Sequence, residues 1–234
     1  MSLNKLEQII GYEFQNKELL QRAVTHSSYA NERLGSPSEG NERLEFLGDA
    51  VLGACVGLQL YRRYQDKEEG FLTKMRASIV CERSLGTAGR KLGINEFLLL
   101  SRGEESGGGR DRISIIADCM EAIIGAAYLD GGFDAANTVV RTCLTETAQL
   151  CECGQLPKDA KTTLQEVLSH RTAEEGAPQI HYEILSESGP DHAKTFTAAV
   201  YAYGKLMGEG SGKSKKEAEQ HAAAAALNAI QTKG

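Results

Sequence analysis

The sequence predicts two domains, an all-α N-terminal domain followed by a small α+β domain with the order helix, three strands, helix. From Leu3 to about Cys151, apolar residues recur at helical spacing between glycine-rich breaks. After a Gly/Pro-containing link at 154–157, aromatic and β-branched runs alternate with turn residues. A chain of 234 residues is long enough for both units. We expect the first domain at 1–153 and the second at 158–232.

The first domain is predicted as a series of helices. Asn16, followed by apolar residues at 19, 20, 23 and 24, predicts a capped amphipathic helix. Residues 41–64 predict a long helix that becomes apolar on all sides after Asp49, which is typical of a buried central helix. Further helices are expected at 73–79, 83–92, 112–129 and 133–151, with breaks at 101–109 and 130–132.

The second domain begins with a short amphipathic helix at 160–170 that carries Leu164 and Leu168 on one face. Three strands are expected at 180–186, 195–203 and 206–208, where β-branched and aromatic residues are frequent. An alanine-rich helix at 214–230 completes the domain.

Composition and charge narrow the class of protein. The N-terminus has no basic segment followed by an apolar stretch, and the longest uncharged run, 50–61, is shorter than the roughly 20 residues of a membrane span. We therefore expect a cytoplasmic protein with no membrane association. The net charge of −6 argues against indiscriminate coating of nucleic acid, although a local basic cluster remains compatible with RNA binding.

The six cysteines are scattered, mostly within apolar helical patterns, so reduced core thiols are expected. Cys151 and Cys153 form a CxC pair that suggests an alternative, a zinc site. No further Cys or His follows at zinc-ligand spacing before His170, which disfavours that alternative.

Carboxylates recur on two of the predicted helices. Glu42, Glu45 and Asp49 are spaced i, i+3, i+7 and project from one stripe of a helix, and Asp118 and Glu121 lie at i, i+3 within a second, mostly apolar one. Stacked like charges repel, and burial strengthens the repulsion. We therefore expect a cation between the helices.

Oxygen ligands without His or Cys favour Mg²⁺, with Mn²⁺ as a substitute. Carboxylates with Mg²⁺ suit phosphodiester hydrolysis. The alternative is that these acids only face solvent or pair with distant arginines. Two sets on helices too apolar to be surface helices disfavour it.

The glycine-rich segment before the last helix invites a nucleotide-binding interpretation, because Gly212, Lys213 and Ser214 resemble the end of a P-loop. The required first glycine is absent, since position 207 is Met207, so no nucleotide cofactor is expected. Ser214 and Glu217 fit a helix capping box, which places three lysines at the positive helix end. This arrangement favours a phosphate clamp over a solvated turn, the alternative. The lysines are Lys213, Lys215 and Lys216.

Residues 41–52 (NERLEFLGDAVL) closely resemble the signature of the ribonuclease III family, and the resemblance continues through 70–77 (GFLTKMRA) and 114–125 (SIIADCMEAIIG). It implies an all-helical endonuclease domain that forms a symmetric homodimer. It also implies an endonuclease that cuts double-stranded RNA, leaves 5′-phosphates and short 3′ overhangs, and acts in the processing of ribosomal and messenger RNA and in RNA decay.

The resemblance assigns roles to individual acids. The family's metal positions fall on Glu45, Asp49, Asp118 and Glu121. Asp49 and Glu121 match the positions where substitution stops chemistry, so they are the expected catalytic residues. Glu42, and more weakly Glu69, match acidic positions that engage RNA near the cleavage site.

Residues 161–166 (KTTLQE), 189–196 (GPDHAKTF) and 208–218 (GEGSGKSKKEA) resemble a double-stranded-RNA-binding domain. By that resemblance Thr162, Gln165 and Glu166 lie at one minor groove and the loop around His192 at the next. The three lysines then span the intervening phosphates, which is recognition of A-form shape. A noncatalytic binder of duplex RNA is the main alternative. A phosphohydrolase of small molecules would not explain the second domain.

Overall fold

The structure, a computed structural model, describes residues 2–152, 160–171, 179–189 and 194–232. The chain divides into two compact units, Met1–Leu156 and Pro157–Gly234. The division falls within the Gly/Pro-containing link at 154–157. The finer domain bounds, 1–153 and 158–232, stay a prediction.

The first unit is built from helices and short helical turns. Its helices are α1 (Leu3–Ile10), α2 (Lys17–Ala23), α3 (Ser27–Tyr29), α4 (Glu42–Arg63), α5 (Glu69–Val80), α6 (Glu82–Lys91), α7 (Arg102–Ser106) and α8 (Ile113–Glu152). The predicted cap of α2 is confirmed, because the Asn16 side chain accepts a hydrogen bond from the Glu18 N–H at 3.0 Å. The segment predicted as a break, 101–109, holds the short helix α7, whose first turn is capped by the Ser101 hydroxyl.

Helices α4 and α8 cross at the centre of the first unit, and two glycines let their backbones touch. A Cβ added to Gly48 would lie 1.8 Å from the carbonyl oxygen of Glu121. A Cβ added to Gly125 would lie 2.3 Å from the carbonyl oxygen of Leu44. Both distances are far inside van der Waals contact, so only glycine fits at either position.

Helix α4 is less buried than the sequence predicts. Its inner residues Leu52 and Cys55 are fully buried, but Phe46 is 84% exposed and Tyr61 71% exposed on the opposite side. The uniform apolar character after Asp49 therefore reflects a second apolar face rather than complete burial. The segment Pro37–Arg63 also has the length and mean hydropathy, 1.3, of a membrane span, a property it shares with core helices of soluble proteins.

Helix α8 is interrupted where the sequence predicts a break, at Gly131 and Gly132, the latter with a φ of 71°. The interruption is held by Asp130, whose carboxylate accepts hydrogen bonds from the Tyr12 hydroxyl at 2.8 Å and the Asn16 N–H at 2.8 Å. Burial and the Asp130 carboxylate raise the pKa of Tyr12 to about 12. The break is therefore tied to the chain segment between α1 and α2.

Three of the described cysteines, Cys55, Cys119 and Cys143, are buried thiols, as expected of core residues. Burial raises the pKa of Cys119 to about 12, which keeps that thiol protonated. Cys81 is exposed at the junction of α5 and α6. Cys153, half of the CxC pair, lies outside the described residues.

The second unit has the predicted order, with α9 (Ala160–Arg171), β1 (Ile180–Ser188), β2 (Thr195–Ala202), β3 (Lys205–Gly212) and α10 (Lys215–Thr232). The strands form an antiparallel sheet in the order β1-β2-β3. Leu164, Val200 and Ala222 are among the buried residues between sheet and helices.

Strand β3 is longer than the predicted 206–208, because its glycines hide it from β-propensity. Gly208, Gly210 and Gly212 face α10, and a Cβ on any of them would lie within 2.7 Å of that helix. Alternate glycines thus bring the strand and the helix into backbone contact.

Candidate active site

The predicted acids are brought together by the crossing of α4 and α8. Glu45 and Asp49 flank Gly48 on α4, and Glu121 on α8 supplies the carbonyl oxygen against which Gly48 packs. Asp118 lies one turn earlier on α8. The two sets of carboxylates therefore approach each other at the point where the helix backbones are closest.

The carboxylates act on each other electrostatically. Burial, and then the charges of Asp49 and Glu45, raise the pKa of Glu121 to about 7. Burial and then Asp118 raise the pKa of Glu45. Residues from one helix thus raise the pKa of residues on the other, so the two sets of carboxylates lie within electrostatic range of each other. Around neutral pH, Glu121 is protonated in a substantial share of molecules.

The ligand atoms that these acids offer are of the kind that binds a divalent cation. Every acid brought together here offers only carboxylate oxygen, which is the donor chemistry of Mg²⁺. Within 2–152 and the described parts beyond it, no three His, Cys, Asp or Glu side chains converge tightly enough to form a metal cluster. Mutual repulsion of the carboxylates favours such separated side-chain positions. The residues fit the cation in chemistry, and their role as ligands stays a prediction.

Sequence analysis missed one acid of this site, Glu82, the first residue of α6. Its charge raises the pKa of both Asp118 and Glu121, after burial in each case. Helix α6 packs on α8 through Gly86, where a Cβ would lie 2.5 Å from the carbonyl oxygen of Ile113. A single acid in the first turn of a helix is ordinary, so spacing alone could not have indicated Glu82.

The start of α4 is anchored by Asn41, which is only 2% exposed. Its backbone N–H donates to the carbonyl of Thr25 at 2.9 Å, and its side-chain amide donates to the carbonyl of Ala23 at 3.3 Å. The segment that receives these bonds pairs in turn with Leu99. The positions of the acids on α4 are therefore fixed by the buried and hydrogen-bonded residue at the start of this helix.

The two acids expected to engage RNA are both exposed, but only one belongs to the cluster. Glu42 raises the pKa of Glu45 and so lies beside the metal positions. Glu69 lies in the first turn of α5 and accepts a hydrogen bond from the Thr73 hydroxyl at 2.6 Å. No described contact joins Glu69 to the acids on α4 and α8, so its role in RNA engagement stays a prediction.

In the second unit, the predicted capping box forms at the start of α10 with one difference. The Ser214 hydroxyl accepts from the Glu217 N–H at 3.1 Å, as predicted. The Glu217 carboxylate reaches the N–H of Lys213 at 2.7 Å, one residue before the expected N–H of Ser214. The side chains of Lys213, Lys215 and Lys216 are exposed around this helix end. The three cations therefore surround a capped helix N-terminus.

Of the other predicted RNA contacts, Thr162, Gln165 and Glu166 belong to α9. Gln165 is exposed. The side chains of Thr162 and Glu166 and the whole of His192 lie outside the described residues. Lys161 pairs with Glu219 of α10 at 2.7 Å and lies over the Tyr182 ring at 4.3 Å, so α9 is fixed against both the helix and the sheet.

The chain matches two family models, Ribonuclease-III-like over residues 16–147 and Double-stranded RNA binding motif over 160–230. Among curated relatives, it is 46% identical over 231 residues to Ribonuclease 3 of Desulforamulus reducens, covering 99% of this chain and 92% of that protein. It is 48% identical over 228 residues to Ribonuclease 3 of Caldanaerobacter subterraneus subsp. tengcongensis, covering 97% and 98%.

Among solved structures, the nuclease domain of ribonuclease III from Campylobacter jejuni matches with a TM-score of 0.57 and 42% identity, covering 62% of this chain and 97% of that one. Its description refers to a region involved in dimer formation. Three observations indicate the same family: the opposed acids on α4 and α8, the order of the two units, and the curated matches over nearly the whole chain. The chain belongs to the ribonuclease III family.

Proposed function

We propose that this member of the ribonuclease III family depends on Mg²⁺ and is specific for double-stranded RNA. The family match and the C-terminal motif make the chain an endoribonuclease for double-stranded RNA. The single observation that carries the metal requirement is the pair of opposed carboxylate sets on α4 and α8, which raise each other's pKa. A partly buried cluster of like charges is stabilised in its ionised form by a compensating cation.

In this proposal four acids hold the ion: Glu45, Asp49, Asp118 and Glu121. Mg²⁺, or Mn²⁺ in its place, would lower the pKa of a water molecule and neutralise charge on the scissile phosphate. Glu121, with its pKa near 7, would release its proton as the cation binds. The products would carry 5′-phosphates and short 3′ overhangs.

The second unit would hold the substrate through the phosphate backbone of the RNA. Lys213, Lys215 and Lys216 surround the N-terminus of an 18-residue helix, where N–H groups and the helix dipole also attract phosphate. Gln165 on α9 would reach one minor groove, with Thr162 and Glu166, and the segment around His192 the next. Contacts of this kind recognise the A-form duplex with little sequence readout.

We also propose a homodimer through the exposed face of α4. Phe46 and Tyr61 are large apolar side chains left exposed on the helix that carries the acids. Exposed apolar surface of this kind is typical of protein interfaces. The solved nuclease domain from Campylobacter jejuni is described with a region of dimer formation. In a dimer each protomer would cut one strand of the duplex.

Two alternatives are weaker. A noncatalytic RNA-binding protein has no need for opposed acids at the helix crossing, and every expected acid is present. A phosphohydrolase of small molecules has no need for the second unit. We also propose that the protein acts in the cytoplasm, in the processing of ribosomal and messenger RNA and in RNA decay, as the sequence predicts.

The test is a cleavage assay on a long, perfect RNA duplex and on a single strand of the same sequence. With Mg²⁺ or Mn²⁺, we expect fragments with 5′-phosphates and short 3′ overhangs from the duplex alone. With EDTA, the duplex should be bound and remain intact. Binding without cleavage under either ion would overturn the proposal in favour of the noncatalytic binder.

Replacing both Lys215 and Lys216 with alanine is expected to weaken duplex binding on every sequence and to flatten its dependence on salt. Each lost phosphate contact should reduce the slope of log K against log salt by about one. Binding is measured by titrating labelled duplex at several salt concentrations. The matched control is Lys205→Ala, an exposed lysine at the opposite end of β3 from the start of α10. An unchanged slope in the double variant would contradict the proposal that these lysines bind phosphates.

A further inference from the structure

We propose that Glu187 is a counter-ion within the RNA-binding surface of the second unit, and that it holds Lys194 in the free protein and releases this lysine to a phosphate when duplex RNA binds. The inference rests on the proposed phosphate clamp and adds Lys194 to its lysines. Three observations carry it: the ion pair between the two residues, its place beside the start of α10, and the use of the neighbouring acid Glu217 as a helix cap.

The carboxylate of Glu187 and the ammonium group of Lys194 form an ion pair of 2.7 Å. Glu187 lies near the end of β1, and Lys194 directly precedes β2. The side chains are 42% and 38% exposed, so an approaching phosphate can reach the ammonium group. Water and salt screen an exposed pair of this kind, which makes it weak and able to exchange one partner for another anion.

The ion pair lies beside the start of α10. In the antiparallel pairing of β1 with β2, Glu187 is opposite Phe196, and the Nζ of Lys215 lies 5.9 Å from the centroid of the Phe196 ring. Residues directly opposite each other point to the same face of a sheet, and Phe196 packs against the core on the helix side. Glu187 therefore lies on the face of the sheet that carries α10, close to the first lysine of that helix.

The carboxylate of Glu187 is ionised in this environment. The hydrogen bond from Lys194, and then the charges of Lys194 and Lys215, hold the pKa of Glu187 below its usual value. Glu217, the other acid at this helix end, accepts a hydrogen bond from the backbone N–H of Lys213 at 2.7 Å and completes the helix cap. Glu187 is thus the acid of this pair that neutralises a lysine side chain.

A carboxylate in this place opposes the binding of RNA in two ways. Its charge repels an incoming phosphate, and its pairing with Lys194 must break before the ammonium group can bind another anion. The exchange is possible because phosphate oxygens accept charge-assisted hydrogen bonds from lysine as carboxylate oxygens do. Glu187 therefore lowers the affinity for RNA while it keeps Lys194 beside the lysines of the clamp.

The experiment measures binding of labelled RNA duplex to the full chain with Glu187→Gln, in EDTA and at several salt concentrations. Glutamine keeps the size of the side chain and removes its charge. We expect the affinity at low salt to rise by roughly three- to tenfold. The slope of log K against log salt should become steeper by up to about one, the value of one additional phosphate contact. Lys194→Ala should change both quantities in the opposite direction.

The matched control is Glu183→Gln, which removes the same charge from the same strand. Glu183 is exposed and lies opposite Ala199, one residue out of step with the core residues Ala198 and Val200, so it points to the sheet face away from α10. Its duplex affinity should stay within about twofold of native, because salt screens a charge at that distance.

Three results would overturn the proposal: native or weaker duplex binding by Glu187→Gln, an equal gain by Glu183→Gln, or native binding by Lys194→Ala. Circular dichroism should show an unchanged fold for each variant, since only exposed side chains are altered. The double variant of Lys215 and Lys216 tests the clamp separately, because Glu187 and Lys194 are intact in it. A native slope there would reject the clamp, whereas the Glu187 and Lys194 variants decide this inference.

Discussion

Glu121→Gln is expected to lower the rate of duplex cleavage by more than about 100-fold, because loss of a metal ligand should exceed the roughly 10–100-fold cost of removing a ligand's outer partner. Glutamine keeps the size of the side chain and one oxygen, but it removes the charge that the proposed cation needs. Duplex affinity should stay nearly native, since a carboxylate beside phosphates contributes no attraction. Single-turnover cleavage and equilibrium binding in Ca²⁺ measure the two effects separately.

The matched control for this change is Glu146→Gln. Glu146 lies on the same helix, is exposed, and pairs with Lys91. A surface pair of this kind contributes at most about 1 kcal/mol, so cleavage should remain native. If Glu121→Gln lost duplex binding together with cleavage, Glu121 would have a structural role instead of the catalytic one.

Gly48→Ala is expected to destabilise the first unit by more than about 3 kcal/mol, the upper end of ordinary overpacking. The added methyl group would lie 1.8 Å from the carbonyl oxygen of Glu121, and a backbone atom cannot rotate away as a side chain does. The helices must separate, which also moves Glu45 and Asp49 from Asp118 and Glu121. Urea unfolding followed by circular dichroism measures the loss, and cleavage should fall with it.

Gly70→Ala is the matched control, because nothing lies within 4 Å of a Cβ at this exposed helical position. Its stability should stay equal to that of the native chain or rise by up to about 1 kcal/mol through helix propensity. Equal stabilities for the Gly48 and Gly70 variants would contradict a backbone-to-backbone crossing of α4 and α8.

The sequence alone predicted most of the helices and the acids of the site. Glu45, Asp49, Asp118 and Glu121 were found from i, i+3 and i+4 spacing, because a regular helix turns such spacing directly into position. The crossing that joins them depends on Gly48 and Gly125, whose role is visible only when the partner backbone is known. Glu82 comes from a separate helix, α6, and belongs to no periodic pattern of acids.

The differences from the predicted fold have physical causes. The apolar run on α4 after Asp49 predicts burial on all sides, whereas Tyr61 within that run is 71% exposed. Sequence hydrophobicity does not distinguish a core from a surface that another molecule would cover. Strand β3 is longer than the sequence predicts, because its glycines, which pack against α10, have low β-propensity.

The glycines of β3 fix how this strand is aligned along α10 in the second unit. Gly212 packs at Ala218 and Gly208 at Ala226, so four strand residues run beside eight helix residues. Four residues of a strand span about 13 Å, and eight of a helix span about 12 Å. The two spacings agree closely, so the strand and the helix stay aligned from one glycine contact to the next. The positions of the lysines at the start of α10 are thereby fixed by backbone contacts between that helix and β3.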